Sequence, residues 1–443
     1  MARPLALHGG PRAVSADAHV RWPVLGPEER EAVLRVLDRG VLSGPFAPEV
    51  RALESEWATY LGSRRCLATN SGTAALHLAL AAVGVGPGDE VIVPAFTFVA
   101  SALAVLHQGA VPVFADIEPR TLGLDPARVE AAITPRTRAV VAVHIHGTPC
   151  EVDALSAICR RHQLVLIEDA AQAHGSTHGG RKVGTFGSLG CFSLQSSKSL
   201  AAGEGGLLVT DDDALWARAA RPRAFGEDVR AEDEACYRIE RALDGNRAYE
   251  SLEMGWMYRT TELTAAVARA QLRKLDAWNT AAARNAALLG ERLAQLPGVT
   301  PPVVAEGDTS GFHKYRVRID GRAAGVDAPA ARVRDALVDA LVAEGLEAVL
   351  WQTKPVPGQR LFRERVGLAG RACPWVHGSD VDYDLSQYPE STRLLEGSLC
   401  LFSHTCPIAP QPRELVEAYA DTFARLWARL DEVVAPKAPC SRA

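Results

Sequence analysis

Lysine is scarce in this 443-residue chain: of 48 basic residues only six, at positions 182, 198, 274, 314, 354 and 437, are lysines, and the other 42 are arginines. A guanidinium stays protonated and cannot serve as a nucleophilic amine, so any amine chemistry falls on one of those six positions. Long apolar runs are also missing. No uncharged stretch approaches the ~18 residues of a membrane span, and Met1–Arg12 lacks the apolar core of a secretory leader. A soluble, cytoplasmic protein is therefore expected. Nor is there an excess of positive charge: 48 basic against 53 acidic residues leave a net charge of −5, which argues against a broad basic surface for nucleic acid or an anionic membrane. The nine cysteines are scattered, with no CxxC pair and no matching histidine spacing, so reduced thiols and no metal are expected.

What is present is a globular composition, 47% hydrophobic and 23% charged, in a chain long enough for two or three domains. Residues 66–210 alternate short β-rich runs with helical stretches, the pattern of βαβ units feeding a largely parallel sheet. Glu90–Pro94, Val111–Ala115, Arg138–His144 and Leu164–Glu168 are short and apolar, as in strands buried on both faces. Residues 224–253 are rich in Glu, Asp and Arg and read as an exposed excursion, the kind of long loop that often serves as a lid. From Thr260 to Leu296 a long amphipathic pattern, possible as two helices, reads as a bridge between domains. A smaller α+β region follows, with strands at Tyr315–Ile319 and Glu347–Trp351 and helices near 328–344 and 412–434. The expected division is 1–280 for an N-terminal arm and large α/β domain, and 281–443 for a small C-terminal α+β domain.

Three segments carry chemistry. Asn70-Ser-Gly-Thr-Ala-Ala-Leu76 closes a strand and opens a helix, so Gly72 and Thr73 sit where backbone amides bind phosphate; taken alone it reads rather as a plain N-cap. In Ile167-Glu-Asp-Ala-Ala-Gln-Ala-His-Gly175, Asp169 falls at the carboxyl end of the sheet, where open α/β folds bind ligands, and a carboxylate there can pair with a cationic ring nitrogen. Gln172 lies one helical turn on. The third segment, Phe192-Ser-Leu-Gln-Ser-Ser-Lys198, runs into a glycine-rich turn ending at Gly206. A lysine desolvated in such a crevice can form a Schiff base with an aldehyde cofactor, and the glycines would let backbone approach a ligand. Lys182, Lys274 and Lys437 read as solvated surface charges.

Helix N-terminus, carboxylate and lysine, in that order, describe a pyridoxal-phosphate site. At this point the sequence resembles the DegT/DnrJ/EryC1/StrS family of sugar and cyclitol aminotransferases, from Trp22 to about Arg429. The resemblance implies the fold of type I aminotransferases, an α/β large domain with a mostly parallel seven-stranded sheet plus the smaller domain. It also implies pyridoxal phosphate and its pyridoxamine form as cofactor, an amino-acid donor (L-glutamine or L-glutamate) and a keto-sugar or keto-cyclitol acceptor. Residue by residue it implies Lys198 as the Schiff-base lysine and proton shuttle, Asp169 as partner of the pyridine nitrogen, and Gln172 beside the phenolic oxygen. Phe98, in P-A-F-T-F, would stack on the ring, and Gly72, Thr73 and Ser193 would bind the phosphate. A homodimer with shared sites is implied as well.

One position departs from the family pattern: Gly255-Trp-Met-Tyr-Arg259 aligns with G-x-N-x-R, whose Asn reaches the neighbouring subunit's cofactor phosphate, and carries Met257 there. Dehydratases of the family replace the lysine by histidine, so Lys198 speaks against that branch. Gln195, three before the lysine, is similar to the Q-x-x-K of aminocyclitol and aminohydroxybenzoate members. Acceptor specificity is expected from 224–253 and from the smaller domain, where His313, Lys314, Trp351 and His404 are polar or aromatic candidates, each taken singly reading as structural rather than ligand-binding. His144 and His146 read as satisfied buried histidines beside the site.

Overall fold

The computed structural model describes residues 4–44, 47–227, 250–377 and 380–435. Its centre is a seven-stranded sheet built from β1 (Arg65–Thr69), β2 (Glu90–Pro94), β3 (Val111–Ala115), β4 (Thr137–Val143), β5 (Val165–Asp169), β8 (Leu189–Ser193) and β9 (Gly206–Thr210), with the short hairpin β6 (Thr177–His178) and β7 (Arg181–Lys182) set apart. Strand order is β1-β9-β8-β5-β4-β2-β3. Only β9 runs against its neighbours, pairing antiparallel with both β1 and β8; the other pairs are parallel.

Strand residues alternate between two cores, which is why these runs are apolar throughout. Val91, Val93, Val141 and Leu208 meet the helices Gly72–Ala82, Ala100–His107 and Asp213–Arg223 on one face. Ile92, Val140, Ala142 and Leu166 meet Val152–His162 on the other, where Trp57, Phe192 and Leu207 form a neighbouring cluster.

A second, antiparallel sheet orders β10 (Val299–Thr300), β11 (Tyr315–Ile319), β13 (Ser398–Leu401) and β12 (Ala348–Val349). Helices Ala330–Ala343 and Arg413–Trp427 pack with it around Tyr315, Val317, Leu337, Tyr419 and Phe423. The amphipathic stretch 260–296 is two helices, Glu262–Leu272 and Leu275–Leu293. The second is the bridge: Leu275 lies in the large-sheet core, whereas Ala282, Ala286, Leu289 and Leu293 lie in the small one. Position 280 thus falls inside a continuous helix. Chain order and packing also part at both ends, since Leu5 and Val14 join the small core while Val356, Phe362, Tyr383 and Leu394 join the large one. Among the described residues, no helix is long and apolar enough to cross a membrane.

Candidate functional site

Asp169 is the last residue of β5 and is buried. Strand alternation sends it and Glu168 to opposite faces. The Glu168 carboxylate accepts from Gly184 N (2.7 Å), Gly187 N (2.6 Å) and His144 Nε2 (2.9 Å). His144 is thereby satisfied, because its Nδ1 accepts from Cys150 N (3.2 Å). Asp169 instead accepts from Ser101 Oγ on Oδ2 (2.7 Å) and from Ala171 N on Oδ1 (3.1 Å), and Ser101 is itself within 3.0 Å of Thr97 Oγ1. Burial raises the Asp169 pKa above the usual carboxylate range, opposed by these two donors and by the positive charge of Lys198.

Lys198 follows β8 on a tied loop. Leu194 N bonds to Gly205 O and Ser196 N to Gly203 O, both at 2.8 Å, closing the chain onto the glycine-rich turn. Lys198 N donates to Gln195 O (2.8 Å), and the Gln195 side chain accepts from Ser197 N (2.8 Å) and Ser197 Oγ (2.6 Å). Gln195 therefore shapes the lysine's loop. From the other end of the chain, Trp22 Nε1 donates to Lys198 O (3.1 Å). The Lys198 amine is pushed down to about 8, chiefly by burial; Asp169 opposes this and Lys314 reinforces it.

The helix Gly72–Ala82 opens against the end of β8. Ser71 caps it, accepting from Ala74 N (3.1 Å). A Cβ on Gly72 would come within 2.8 Å of Ser193 Cβ, and one on Gly206 within 2.3 Å of Ser71 O. Gly72, Thr73 and Ser193 thus share one cradle at a helix N-terminus. The glycine of Gly206 is required by the backbone of Ser71, not by a ligand.

Gln172, also buried, accepts on Oε1 from His146 N (2.9 Å), which leaves its NH2 as the end available to a ligand. His146 holds φ +60°, a strained conformation for a non-glycine residue of the kind found at functional sites. Arg316 Nε donates to His146 Nε2 (3.0 Å); arginine can only donate, so the ring proton sits on Nδ1. Burial, with the charges of Arg316 and Lys314, keeps His146 neutral by holding its pKa well below the usual range. Trp351 packs edge-on to His146 and to Phe96 (ring centroids 4.9 and 5.7 Å). His174, close enough to Lys198 to feel its charge, is enclosed by Trp57 and Phe192 (5.8 and 5.6 Å), with neither ring nitrogen hydrogen-bonded among the described residues, and is pushed down to about 3 by burial and by Lys198. Phe98 is the exception to this burial, at 54% exposed. A ring of that size left in solvent beside buried polar groups is suited to a flat ligand.

Of the expected acceptor contacts, His313 and Lys314 are buried at the domain junction with Trp351, while His404 is exposed next to Thr405, whose carbonyl holds Trp22 N (2.8 Å). Residues 228–249, most of the expected excursion, lie outside the described residues, as does Lys437. Two lysines read as solvated are engaged: Lys274 pairs with Glu29 (2.7 Å) and Glu28 (3.2 Å), and Lys182 sits 4.0 Å above the Tyr60 ring. Ser101, Trp22 and Arg316 carried no signal in the sequence, since each acts through a partner far along the chain. Met257 is half-exposed, and its carbonyl accepts from Asn70 Nδ2 (3.3 Å).

A depressed amine, a buried carboxylate, an open aromatic ring and a helix N-terminus with a serine form a donor set for an aldehyde, a protonated ring nitrogen, a planar ring and a phosphate. Pyridoxal phosphate carries all four, so the residues present fit it. Comparison with known proteins points the same way. Residues 23–377 match the model of the DegT/DnrJ/EryC1/StrS aminotransferase family. The L-glutamine:scyllo-inosose aminotransferase of Streptomyces griseus is 39% identical over 440 residues, 97% of this chain and 99% of that protein. The L-glutamine:2-deoxy-scyllo-inosose aminotransferase of Micromonospora echinospora is 42% identical over 322 residues, 71% of this chain and 75% of the relative. Among solved structures, 3-amino-5-hydroxybenzoic acid synthase superposes with a TM-score of 0.80 at 32% identity, covering 94% of this chain and 100% of its own. The chain belongs to the DegT/DnrJ/EryC1/StrS aminotransferase family and is a pyridoxal-phosphate-dependent transaminase of fold type I.

Proposed function

We propose that this enzyme moves the amino group of L-glutamine onto the ketone of a cyclitol or sugar in aminocyclitol or amino-sugar biosynthesis, with an uncharged cyclitol ketone as the preferred acceptor. L-Glutamate is the alternative donor. Support for donor and acceptor comes from the relative that matches along nearly its whole length and is named for both. The observation that carries the reading is the Lys198 amine, held at about 8 and within electrostatic reach of the buried Asp169.

In this reading Lys198 Nζ would hold the cofactor at its aldehyde carbon. The same amine, when free, would move the proton at the donor carbon, general acid–base work that favours a pKa near the working pH. Asp169, with Ser101 fixing one oxygen, would hold the proton on the pyridine nitrogen. Pyridoxal phosphate, when bound, supplies an electron sink that stabilises negative charge at the substrate carbon. Gly72 and Thr73 amides with the Ser193 hydroxyl would take the phosphate, the Gln172 amide the phenolic oxygen, and Phe98 the ring face. The enzyme is further inferred to work in the cytoplasm as a homodimer. Exposed apolar side chains at Phe225, Leu252, Met254 and Met257, Met254 being 79% exposed, support a surface that a second copy covers.

The test is the visible spectrum of cofactor-loaded protein before and after L-glutamine or L-glutamate, with Lys198→Ala alongside. A visible band that needs Lys198 and bleaches with donor is expected. A band that neither donor bleaches would count against transamination from these amino acids.

A further inference from the structure

Tyr315, Val317 and Ile319 of β11 point into the small core, and β alternation leaves Lys314, Arg316 and Arg318 on the face turned toward the large domain. Lys314 is 6% exposed, yet its ammonium makes no hydrogen bond or ion pair among the described residues. Arg316, 4% exposed, gives its donors to neutral acceptors only: His146 Nε2 (3.0 Å), Ser398 Oγ (2.7 Å) and Trp351 O (2.6 Å). The crevice between the domains here is lined by Arg120, His146, Thr148, Lys314, Arg316 and Arg318. Arg120 is taken by Glu118 (3.2 Å) and Glu151 (3.6 Å), and Arg318 donates to Pro119 O (2.8 Å). Among the described residues no carboxylate answers Lys314 or Arg316.

A buried cation without a counter-ion is costly, and two side by side are costlier. Burial, with Arg316 adding to it, lowers the Lys314 pKa. An anion bound beside it would reverse that and use charge-assisted hydrogen bonds already in place. The location is next to the reaction centre: Lys314 N donates to His146 O (3.4 Å), and His146 N donates to Gln172 Oε1 (2.9 Å). A cyclitol ketone carries no charge, whereas every α-amino-acid donor carries a permanent carboxylate on the carbon whose amine is transferred.

We propose that Lys314, with Arg316 fixed behind it, is the subsite for the α-carboxylate of the amino-acid donor. The inference rests on the transaminase reading with an amino-acid donor. It is tested by titrating cofactor-loaded enzyme with L-glutamine and with L-glutaminamide, which keeps the amine and side chain but lacks the carboxylate, and following the bleaching of the visible band. Wild type is expected to prefer glutamine by on the order of 100-fold. Lys314→Met should reduce that preference to a few-fold, and Lys314→Arg should restore most of it. The melting temperature of Lys314→Met should not fall, since a buried unpaired charge is removed; Lys314→Gln is the second neutral variant if the methionine disturbs folding. A full preference for glutamine in a folded neutral variant overturns the subsite. Bleaching of wild type by neither compound overturns the reading of L-glutamine as donor, on which the subsite rests.

Discussion

The state of the Lys198 amine can be measured directly. An ordinary lysine titrates at 10.5, whereas Lys198 is held at about 8. At pH 7 this puts roughly 10% of the amine in its neutral, nucleophilic form against roughly 0.03%, about a 300-fold gain. The same difference means that charging this amine costs about 3 kcal/mol more in the folded protein than in water. Between the two values the unfolded chain binds the proton that the native state has released. The stability of the cofactor-free enzyme is therefore penalised below pH 8 and recovers as pH rises toward 10.5. The perturbation is Asp169→Asn, which removes the main charge holding the pKa up, so the titration should move lower still. The assay is the rate at which a dilute amine-directed acylating reagent modifies the Lys198 peptide in cofactor-free protein, followed by mass spectrometry as a function of pH. Half-maximal reactivity near pH 8 in wild type, and lower in Asp169→Asn, is expected. A wild-type midpoint near 10.5, or an upward move in the variant, would refute the reasoning.

Two further outcomes follow from contacts of the same site. Ser101→Ala removes the donor on Asp169 Oδ2 (2.7 Å), a charge-assisted bond worth about 1.5–3 kcal/mol; the cofactor dissociation constant should rise at least ten-fold with little change in melting temperature, and an unaltered constant would show that Ser101 does not support the carboxylate. Met257→Asn restores the side-chain amide of the family pattern and should tighten cofactor retention in the proposed homodimer, whose activity should fall as dilution separates the subunits; an unchanged dissociation constant, or a fully active monomer, would remove that reading.

Much of the fold was legible because its signals are local. The runs at 90–94, 111–115 and 315–319 are strands with the expected bounds, the first two because an almost wholly apolar strand leaves few polar residues to blur its ends and the third because Tyr315, Val317 and Ile319 alternate strictly with arginines. Lys198 stood out because arginine has displaced lysine almost everywhere else, and Asp169 because an apolar run stops at two acids. What stayed hidden depends on contacts made across the fold. Which of Glu168 and Asp169 faces the site is decided by which side of the sheet carries His144 and which carries Ser101. The strand expected at 347–351 shrinks to Ala348–Val349, and the carbonyl of Trp351 is taken instead by Arg316. The closing helix breaks at Arg429, whose φ of −123° is not helical. Gln195, which suggested an acceptor class, makes its contacts within its own loop.

Lys198 and Lys314 act on one another through the charge they share. Lys314 is among the groups that depress the Lys198 amine, so the neutral nucleophile suited to taking up an aldehyde exists in part because a second cation nearby has no counter-ion. A donor carboxylate seated on Lys314 would cancel that field and let the pKa of Lys198 rise, making the amine a stronger base at the stage when it must take a proton from carbon. Linkage requires the converse: protonating Lys198 must strengthen binding of the anion by the same free energy. The uncompensated positive charge at the domain junction would then serve two steps in succession, favouring the free amine before the donor arrives and the stronger base after it has bound.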